Sequence, residues 1–314
     1  MMQAVADNLS RGCDILKQEF ALVADEPMAR HTSFKVGGTA DLFATPSSQD
    51  ELIPIVARAK ALKVPVTLMG CGTNLLVRDK GIRGLVLSMK RINAAPTLTR
   101  VSGTESLVTA SSGVILSTLA RFAMDHGLDG FGFAAGIPGT VGGAVMMNAG
   151  TAMGTICDTL ATLEILCQDG EVRTVDRREL GFSHRKLSFN GLGPGVLILT
   201  ASFLLVQGDK TAMKAKWLAH LEKRRANQPG SAASAGCFFK NPDNERPAGL
   251  LIDRAGLKGR RCGNAMVSEA HGNFIVNLGG ATASEILTLK RMVETEVKNQ
   301  FNVDLKPEVK IEGE

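Results

Sequence analysis

The chain has 314 residues, of which 44% are hydrophobic and 21% charged, a balance that excludes disordered, coiled-coil and collagen-like proteins. At about 100–200 residues per domain, this length predicts two or three domains. The 36 basic and 31 acidic side chains leave a net charge of +5 that is not concentrated in any one stretch. Aromatic residues make up only 4%, with one Trp and no Tyr, so we expect no nucleic-acid partner.

No segment has the roughly 18 consecutive apolar residues that a bilayer span requires, and Met1 to Phe20 lacks the pattern of a secretory signal. We therefore expect a cytoplasmic protein without membrane insertion. The six cysteines are unevenly spaced without a C-x-x-C pair, and the histidines lack metal-ligand spacing. The sequence predicts free thiols and no metal site.

Hydrophobic periodicity and capping residues predict mixed helices and strands. Ser48 and Glu51 have the spacing of a capping box, as do Thr282 and Glu285. In chain order, the pattern predicts a strand at Ala40–Thr45, a helix from Ser48 to Leu62, strands at Pro65–Met69 and Leu107–Ser111, a helix at Ile115–His126, a hairpin of Leu160–Gln168 with Glu171–Val175, a buried strand at Gly195–Val206, helices at Asp209–Asn227 and Ala248–Ala255, a strand at Asn273–Asn277, a helix after Thr282 with Ile286, Leu289, Val293 and Val297 buried, and a strand at Pro307–Ile311.

Glycine is in excess, at 34 residues, and it is clustered. The two loops Gly70–Asn74 and Gly136–Gly143 each follow a predicted strand and could offer backbone N–H groups to an anion such as a pyrophosphate. Leu75 stands where a Rossmann fingerprint requires its third glycine, so that motif is excluded. A tight turn would explain one such loop, but two loops of this density favour ligand binding.

A thiol stands in a third loop of small residues, where Cys237 is followed by Lys240 and Asn241. A nearby ammonium can lower the pKa of a thiol, ordinarily about 8.5, and a thiol is a far better proton donor than a serine hydroxyl. By residue type alone, Cys237 could equally be an inert buried thiol. Arg185 and Glu308 could likewise be solvated surface charges.

Nine segments in a fixed order carry a stronger signal. They are HTSFKVGGTADLF (His31–Phe43), GCGTNLLV (Gly70–Val77), AGIPGTVGGAVMMNAG (Ala135–Gly150), FSHR (Phe182–Arg185), RRANQP (Arg224–Pro229), SAGCFFKNP (Ser234–Pro242), GRRCGNAMVS (Gly259–Ser268), HGNFIVN (His271–Asn277) and PEVKIEGE (Pro307–Glu314). Together they resemble the UDP-N-acetylenolpyruvoylglucosamine reductase family, flavoenzymes that complete UDP-N-acetylmuramate in bacterial peptidoglycan synthesis.

The resemblance implies an α+β protein with a two-subdomain, vanillyl-alcohol-oxidase-like FAD-binding fold and a smaller α+β substrate-binding domain. The FAD-binding subdomains would be residues 1–90 and 91–207. The substrate domain would be residues 208–314, with the last residues returning catalytic Glu308 to the flavin site.

The implied cofactor is noncovalent FAD, with NADPH as the electron donor and no metal. The residues that would contact FAD are Gly70, Cys71, Gly72, Thr73, Asn74, Leu75, Gly136, Ile137, Thr140, Gly142 and Gly143. In the family's reaction NADPH reduces FAD, hydride then passes to the enolpyruvyl methylene, and an enzyme acid protonates the adjacent carbon.

Three catalytic residues follow from the resemblance. Cys237 stands where most members have the serine acid, Arg185 matches the arginine that polarises the enolpyruvyl carboxylate, and Glu308 matches the acidic catalytic residue. His184 and Leu187 depart from the Tyr and Ser that are common in the family.

Lacking Tyr, the chain looks like the subgroup without the tyrosine-bearing substrate loop. Its substrate-side candidates are Arg225, Gln228, Lys240 and Asn241.

The implied activity is that of a cytoplasmic NADPH-dependent oxidoreductase in cell wall biogenesis, with consequences for cell shape, cell cycle and cell division. Its partners would be two small molecules, UDP-N-acetylenolpyruvoylglucosamine and NADPH. Two alternatives remain open on the sequence: an oxidase or dehydrogenase of the same FAD fold, often with flavin tethered to His or Cys, and a catalytically silent nucleotide-binding protein.

Overall fold

The computed structural model describes residues 2–183, 185–191, 195–243 and 245–314, with side chains from residue 7 onward. The helices of this part of the chain are α1 Met2–Glu19, α2 Gln49–Ala61, α3 Leu116–Asp125, α4 Val141–Met146, α5 Lys210–Asn227, α6 Ala248–Arg254 and α7 Ala283–Phe301. Its strands are β1 Val23–Pro27, β2 Thr39–Ala44, β3 Val66–Met69, β4 Leu75–Val77, β5 Ile82–Ser88, β6 Thr97–Arg100, β7 Glu105–Ser111, β8 Leu128–Asp129, β9 Gly150–Thr151, β10 Gly154–Thr155, β11 Leu160–Leu166, β12 Val172–Asp176, β13 Leu180–Ser183, β14 Lys186–Phe189, β15 Leu197–Gln207, β16 Arg261–Cys262, β17 Ala265–Val267, β18 Ile275–Asn277 and β19 Lys310–Glu312.

These elements form two compact units, each built from segments distant in sequence. The first unit comprises Met1–Phe43, Cys71–Val86 and Arg224–Glu314, and the second comprises Ala44–Gly70 and Leu87–Lys223. The three-domain division with boundaries after residues 90 and 207 stays a prediction.

In the first unit, helix α7 supplies much of the core. Its N-cap Thr282 accepts a hydrogen bond from the Glu285 N–H at 3.1 Å, and the Glu285 carboxylate accepts one from the Thr282 N–H at 3.0 Å. This reciprocal pair is the predicted capping box. The helix buries the four predicted residues Ile286, Leu289, Val293 and Val297. They pack with Phe34, Leu76, Phe238 and Phe239.

The start of α7 is also held by Asp79, from the loop after β4. Its carboxylate accepts hydrogen bonds from the N–H groups of Ala283 at 2.7 Å and Ser284 at 2.9 Å, and from the Ser284 hydroxyl. Burial raises the pKa of Asp79, but these hydrogen bonds outweigh it and hold the pKa below its ordinary value. A carboxylate at a helix N-terminus satisfies N–H groups that the helix itself leaves unpaired.

The second unit is organised around an antiparallel sheet. Its strand order is β12-β11-β15-β7-β6, and β8 pairs with the end of β15. The predicted hairpin is confirmed, because β11 and β12 pair antiparallel with Leu166 opposite Val172. Phe131 lies at the centre of the core, 5.0 Å in ring-centroid distance from Phe203 and 6.0 Å from Phe133.

Two local predictions are corrected by the structure. The N-cap Ser48 accepts a hydrogen bond from the Glu51 N–H at 3.2 Å, which is one half of the predicted capping box. The Glu51 carboxylate accepts from the Ser47 N–H at 2.7 Å and not from that of Ser48, so the other half is displaced by one residue. The last strand begins at Lys310, not at Pro307, because proline has no N–H for a ladder and pairs only through an isolated bridge to Phe239.

Within the described residues, no helix combines the length and apolar character needed to cross a bilayer. In the same part of the chain, no three His, Cys, Asp or Glu side chains are grouped so that they could hold a metal ion.

Candidate active site

The predicted site residues divide between the two units. The first unit contains Cys71, Gly72, Thr73, Asn74, Leu75, Arg225, Gln228, Cys237, Lys240, Asn241 and Glu308. The second contains Gly70, Gly136, Ile137, Thr140, Gly142, Gly143 and Arg185. The geometry of each set is described within its own unit.

The segment that carries Cys237 is paired on one side with the HGNFIVN segment. Cys237 forms a bridge with Phe274, and the Phe238 N–H donates to the Asn273 carbonyl at 2.7 Å. Gly236 precedes the thiol with a φ of +80°, a left-handed conformation that glycine adopts without strain. The turn leaves the half-buried Cys237 at the start of an ordered segment.

The other side of this segment is paired with the residues that precede β19. The Lys240 N–H donates to the Lys306 carbonyl at 2.8 Å, and the Glu308 N–H donates to the Phe238 carbonyl at 2.8 Å. The main chain of Glu308 is thus bonded directly to the residue after Cys237. Two candidate catalytic residues separated by about 70 positions in sequence are fixed to one short stretch of backbone.

The first glycine loop reaches the same stretch through Asn74. Its side-chain amide donates to the Glu308 carbonyl at 3.3 Å, and its own carbonyl accepts from the Lys310 N–H at 3.1 Å. Leu75 then starts β4, which runs parallel to β19 with Leu75 opposite Lys310. The Gly72 carbonyl is held from another direction by the N–H and hydroxyl of Ser33, at 3.2 and 3.3 Å. The loop, the thiol segment and Glu308 therefore form one hydrogen-bonded assembly.

A cavity of about 290 Å³ opens beside Cys237 and is lined by Asn241, Asp253, Lys258, His271 and Asn273, among others. His271 was not predicted from the sequence. Burial and the nearby Lys258 charge lower the pKa of its imidazole, and its Nδ1 accepts the Asn273 N–H at 3.1 Å. A neutral imidazole with the proton on Nε2 satisfies both observations.

Of the substrate-side candidates, Asn241 has a structural role as well. Its side-chain oxygen accepts the Ala248 N–H at 3.1 Å, at the start of α6. Lys240 is half-buried, Gln228 is half-buried, and Arg225 is exposed in the last turn of α5. Lys240 and Asn241 therefore lie next to the Cys237 segment by chain connectivity, whereas Arg225 lies on α5.

In the second unit, Gly70 packs against Thr140 of the second glycine loop. A Cβ added to Gly70 would lie 2.4 Å from Thr140 Oγ1, a separation that real Cβ atoms do not tolerate. Thr140 is 2% exposed, caps α4 by accepting the Gly143 N–H at 3.3 Å, and forms a bridge with Ile115. The absence of a side chain at Gly70 is therefore what allows Thr140 to pack against it.

Four N–H groups of the second loop already donate within the protein. The Gly142 N–H donates to the Ser112 carbonyl at 2.8 Å, and the Ile137 N–H donates to the Ala134 carbonyl at 3.0 Å. The Val141 N–H donates to the Val114 carbonyl at 2.8 Å, and the Gly143 N–H donates to the Thr140 hydroxyl. These N–H groups are therefore not available to an anion, contrary to the expectation from the sequence. Glycine at position 142 is required by packing, because an added Cβ would lie 2.8 Å from the Cβ of Ser112.

Ser112 is a candidate that the sequence reasoning missed. It is 1% exposed, and its hydroxyl makes no hydrogen bond within the described part of the chain. Its Cβ lies 2.8 Å from the position a Cβ of Gly142 would take. A buried hydroxyl without a partner is uncommon in proteins, so its place beside the second glycine loop fits a polar group of a bound cofactor. The small-residue run Ser111–Gly113 was the available signal.

Arg185 lies in the turn between β13 and β14 and has a φ of +58°. Such a conformation is uncommon for a residue other than glycine and is often found at functional sites. Its Nη1 donates to the Gly150 carbonyl at 3.1 Å, at the end of the glycine-rich run. His184 lies outside the described residues. Leu187 is 5% exposed and packs in the core of the second unit, so this departure from the family serves packing.

Two protein-family models match the chain. One, described as the C-terminal domain of UDP-N-acetylenolpyruvoylglucosamine reductase, matches residues 228–312, and one described as an FAD binding domain matches residues 40–176. The reductase of that name from Desulfosudis oleivorans is 45% identical, covering 92% of this chain and 94% of its own. The one from Caldanaerobacter subterraneus subsp. tengcongensis is 40% identical over the whole of both chains.

The chain belongs to the UDP-N-acetylenolpyruvoylglucosamine reductase family. The crystal structure of the reductase from Thermus caldophilus matches with a TM-score of 0.76 at 34% identity, covering 93% of this chain and 98% of that one. The predicted family, the α+β FAD-binding fold with its additional C-terminal domain, and the oxidoreductase class are confirmed.

The matched ranges place most site candidates inside known modules of the reductase family. The FAD-binding match contains both glycine loops and Ser112, and the C-terminal match contains Cys237 and Glu308. Arg185 and Arg225 fall between the two matches. The glycine cradle of the second unit and the orphaned Ser112 hydroxyl fit a bound dinucleotide cofactor, which supports FAD as the group that this member binds.

Proposed function

We propose that this protein uses NADPH and noncovalent FAD to reduce the enolpyruvyl group of UDP-N-acetylenolpyruvoylglucosamine, forming UDP-N-acetylmuramate. The observation that carries the proposal is identity of 40–45% to reductases of that name over at least 92% of the chain. The hydrogen-bonded assembly of the first glycine loop, Cys237 and Glu308 supports it independently.

The two glycine loops would hold FAD, with Ser112 contributing a hydroxyl beside Gly142. Bound FAD would supply hydride chemistry, accepting two electrons from NADPH and passing them to the methylene carbon of the substrate. The absence of side chains at Gly70 and Gly142 would preserve the close packing against Thr140 and Ser112. We extend the assignment to Gly136 and to Cys71–Leu75, the remaining positions implied by the family's motifs.

Cys237 would complete the reduction by proton transfer. Hydride addition converts the enolpyruvyl methylene to a methyl group and leaves negative charge on the adjacent carbon and its carboxylate. The Cys237 Sγ–H bond would break as its proton forms the new C–H bond, and solvent would then return a proton to the thiolate. The reaction consumes one NADPH and one proton for each product formed.

Arg185 and Glu308 would stabilise the charge that develops before this proton transfer. A guanidinium can bind a carboxylate through two parallel hydrogen bonds, and the turn between β13 and β14 holds Arg185 in a conformation that most residues avoid. A carboxyl group of Glu308 that carries a proton could donate a hydrogen bond to the same developing charge. Electrostatic stabilisation of this kind is usually the largest single contribution to catalysis.

Lys240 and Asn241 would contact the substrate beside Cys237, and Gln228 and Arg225 would contact its more distant part. We place the reaction in the cytoplasm, where its nucleotide-linked substrate and NADPH would be available. Through peptidoglycan synthesis, loss of the enzyme would affect cell shape and division.

The test begins with the absorbance spectrum of the purified protein after FAD addition and gel filtration, where retained flavin bands are expected. NADPH oxidation is then followed with and without the enolpyruvyl substrate. NADPH loss that depends on the substrate, with product mass two hydrogens above the substrate, supports the proposal. Retained flavin without substrate-dependent NADPH loss would overturn it.

Two variants of Cys237 separate the halves of the reaction. Cys237→Ala should slow flavin reoxidation by the substrate about 100-fold or more, because a positioned acid contributes about 10²–10⁴-fold. Cys237→Ser should retain much of this rate, since a hydroxyl can occupy the same place. Flavin reduction by NADPH should proceed in both. Cys262→Ser, a half-buried thiol in β16, is the matched control, and equal slowing of both halves in Cys237→Ala would contradict the acid role.

A further inference from the structure

One buried side chain pairs with the segment after Cys237 as a strand would. Asn273 is 3% exposed. Its side-chain oxygen accepts the Phe239 N–H at 2.9 Å, and its side-chain nitrogen donates to the Phe239 carbonyl at 2.8 Å. Its main-chain carbonyl accepts the Phe238 N–H at 2.7 Å. Residue 273 therefore makes three hydrogen bonds to two successive residues of the thiol segment.

The side chain is needed here because the strand partner turns away. Phe274 still pairs with Cys237 through its main chain, but the chain approaches α6 at Gly272, where an added Cβ would lie 2.7 Å from the Gly249 carbonyl. The main chain before Asn273 thus follows another path. Its carboxamide replaces the missing ladder and satisfies both polar groups of Phe239, which is 1% exposed.

The opposite edge of the same segment carries Glu308. The Phe238 carbonyl accepts the Glu308 N–H at 2.8 Å, and Lys240 donates to the Lys306 carbonyl. Residues 238–240 are therefore a central strand-like segment, with Asn273 on one edge and residues 306–308 on the other. Displacement of this segment would move Cys237 through the chain and Glu308 through its hydrogen bond.

From this arrangement we propose that Asn273 is a positioning residue for protonation of the substrate. It sets the place of both the Cys237 thiol and the Glu308 main chain through its hydrogen bonds to Phe238 and Phe239. The inference rests on the proposed function for its catalytic consequence, but the positioning of the thiol can be measured separately.

The test compares Asn273→Leu with Asn277→Leu in the FAD-loaded protein. Leucine branches at Cγ as asparagine does but removes every side-chain hydrogen bond, and its larger volume affects both buried sites alike. Asn277 is a close match, because it is 8% exposed, lies on β18, and bonds main-chain groups of Phe34, Gly279 and Ala281 at 2.8–3.0 Å. Both substitutions should lower the free energy of unfolding similarly, so a difference in catalysis between them reports on the position of Cys237 and not on stability.

Stopped-flow absorbance of the flavin gives the catalytic readout. In Asn273→Leu, reoxidation by the enolpyruvyl substrate should slow about 10- to 100-fold, the range expected from misplacement of reacting groups by roughly 1 Å. Reduction by NADPH should stay within about twofold of the natural protein. In Asn277→Leu, both half-reactions should change by the same small factor. Equal behaviour of the two variants would overturn the proposal.

Alkylation by iodoacetamide gives a readout that needs no substrate. Peptide mass spectrometry should show Cys237 of Asn273→Leu reacting at a rate changed roughly tenfold, because the loosened segment alters thiol exposure, while Cys262 stays unchanged. If the natural protein fails to reduce the enolpyruvyl substrate, the proposed function is wrong, but the alkylation rates still test whether Asn273 positions the thiol. An alkylation rate of Cys237 that is the same in Asn273→Leu and the natural protein would reject this positioning role.

A second variant tests the proposal if Asn273→Leu fails to fold. Asn273→Asp keeps the oxygen that accepts the Phe239 N–H but faces the Phe239 carbonyl with oxygen instead of an N–H donor. Its reoxidation rate and Cys237 alkylation rate should lie between those of the natural protein and Asn273→Leu. Values equal to those of the natural protein would contradict the role of the second hydrogen bond.

Discussion

The contact between Gly70 and Thr140 allows a sharp test of how the glycine loops are built. In Gly70→Ala, the new Cβ would lie 2.4 Å from Thr140 Oγ1 and 3.1 Å from its Cγ2. The backbone of Gly70 is outside the left-handed region, so the conformation itself would accept alanine. The whole penalty therefore comes from the collision with a threonine that is buried and bonded on two sides.

The expected cost follows from what must move. Overpacking of this kind costs about 1–3 kcal/mol, and rotation of Thr140 away from Gly143 would also remove an N-cap worth about 1 kcal/mol. Alanine also lowers the conformational entropy of the unfolded chain, which raises the free energy of unfolding by about 0.4–1 kcal/mol. We expect Gly70→Ala to lower the free energy of unfolding of the second unit by about 1–3 kcal/mol and to weaken FAD binding.

The assay uses the single tryptophan of the chain. Trp217 packs partly buried against the core of the second unit, so its fluorescence during urea unfolding reports on the unit that contains the substitution. FAD affinity is measured in parallel by quenching of flavin fluorescence. Gly143→Ala is the control for stability, because its Cβ would lie 3.5 Å from the same oxygen, an ordinary contact, within helix α4.

Gly143→Ala should raise stability by about 0.5–1 kcal/mol, the usual gain for alanine over glycine in a helix. Adding Thr140→Ala to Gly70→Ala should cost less than the sum of the two single changes, because the collision disappears. An unchanged urea midpoint for Gly70→Ala, or equal destabilisation by the two glycine substitutions, would show that the contact with Thr140 does not require glycine at position 70.

Two further predictions concern stability. Asp79→Ala should destabilise the start of α7 by about 0.5–2 kcal/mol, seen as faster hydrogen exchange at Ala283 and Ser284. Because the folded pKa of Asp79 lies below its ordinary value, this contribution is complete above the unfolded pKa of about 3.9 and is lost as pH falls through the folded pKa. A difference from the natural protein that does not shrink as the pH is lowered below the unfolded pKa would argue against it. Leu187→Ala should lower the free energy of unfolding by about 2–5 kcal/mol, because it leaves a cavity in the second unit. The loss is measured as a lower urea midpoint by Trp217 fluorescence. A shift smaller than that of Leu204→Ala, whose side chain is 39% exposed, would show that Leu187 does not contribute to the stability of the core.

Local chemistry made much of the secondary structure predictable. The capping pair Thr282 and Glu285 and the apolar spacing that follows act within one helix, so their outcome does not depend on the rest of the fold. The hairpin of β11 and β12 follows in the same way from alternation and a turn at Asp169–Gly170. Glu51 shows the limit, because a neighbouring serine competed for its carboxylate.

Long motifs in a fixed order were enough to identify the family, the FAD-binding fold and the candidate residues, because they carry that information directly. How those residues are supported depends on contacts between distant segments. Phe238 joins Cys237 to Glu308, Asn273 holds Phe239, and Thr140 requires glycine at position 70, and each contact links segments 34 to 70 residues apart. Hydrophobic periodicity describes one element at a time, so pairings between distant segments emerge only when the chain has packed and every buried polar group has found its partner.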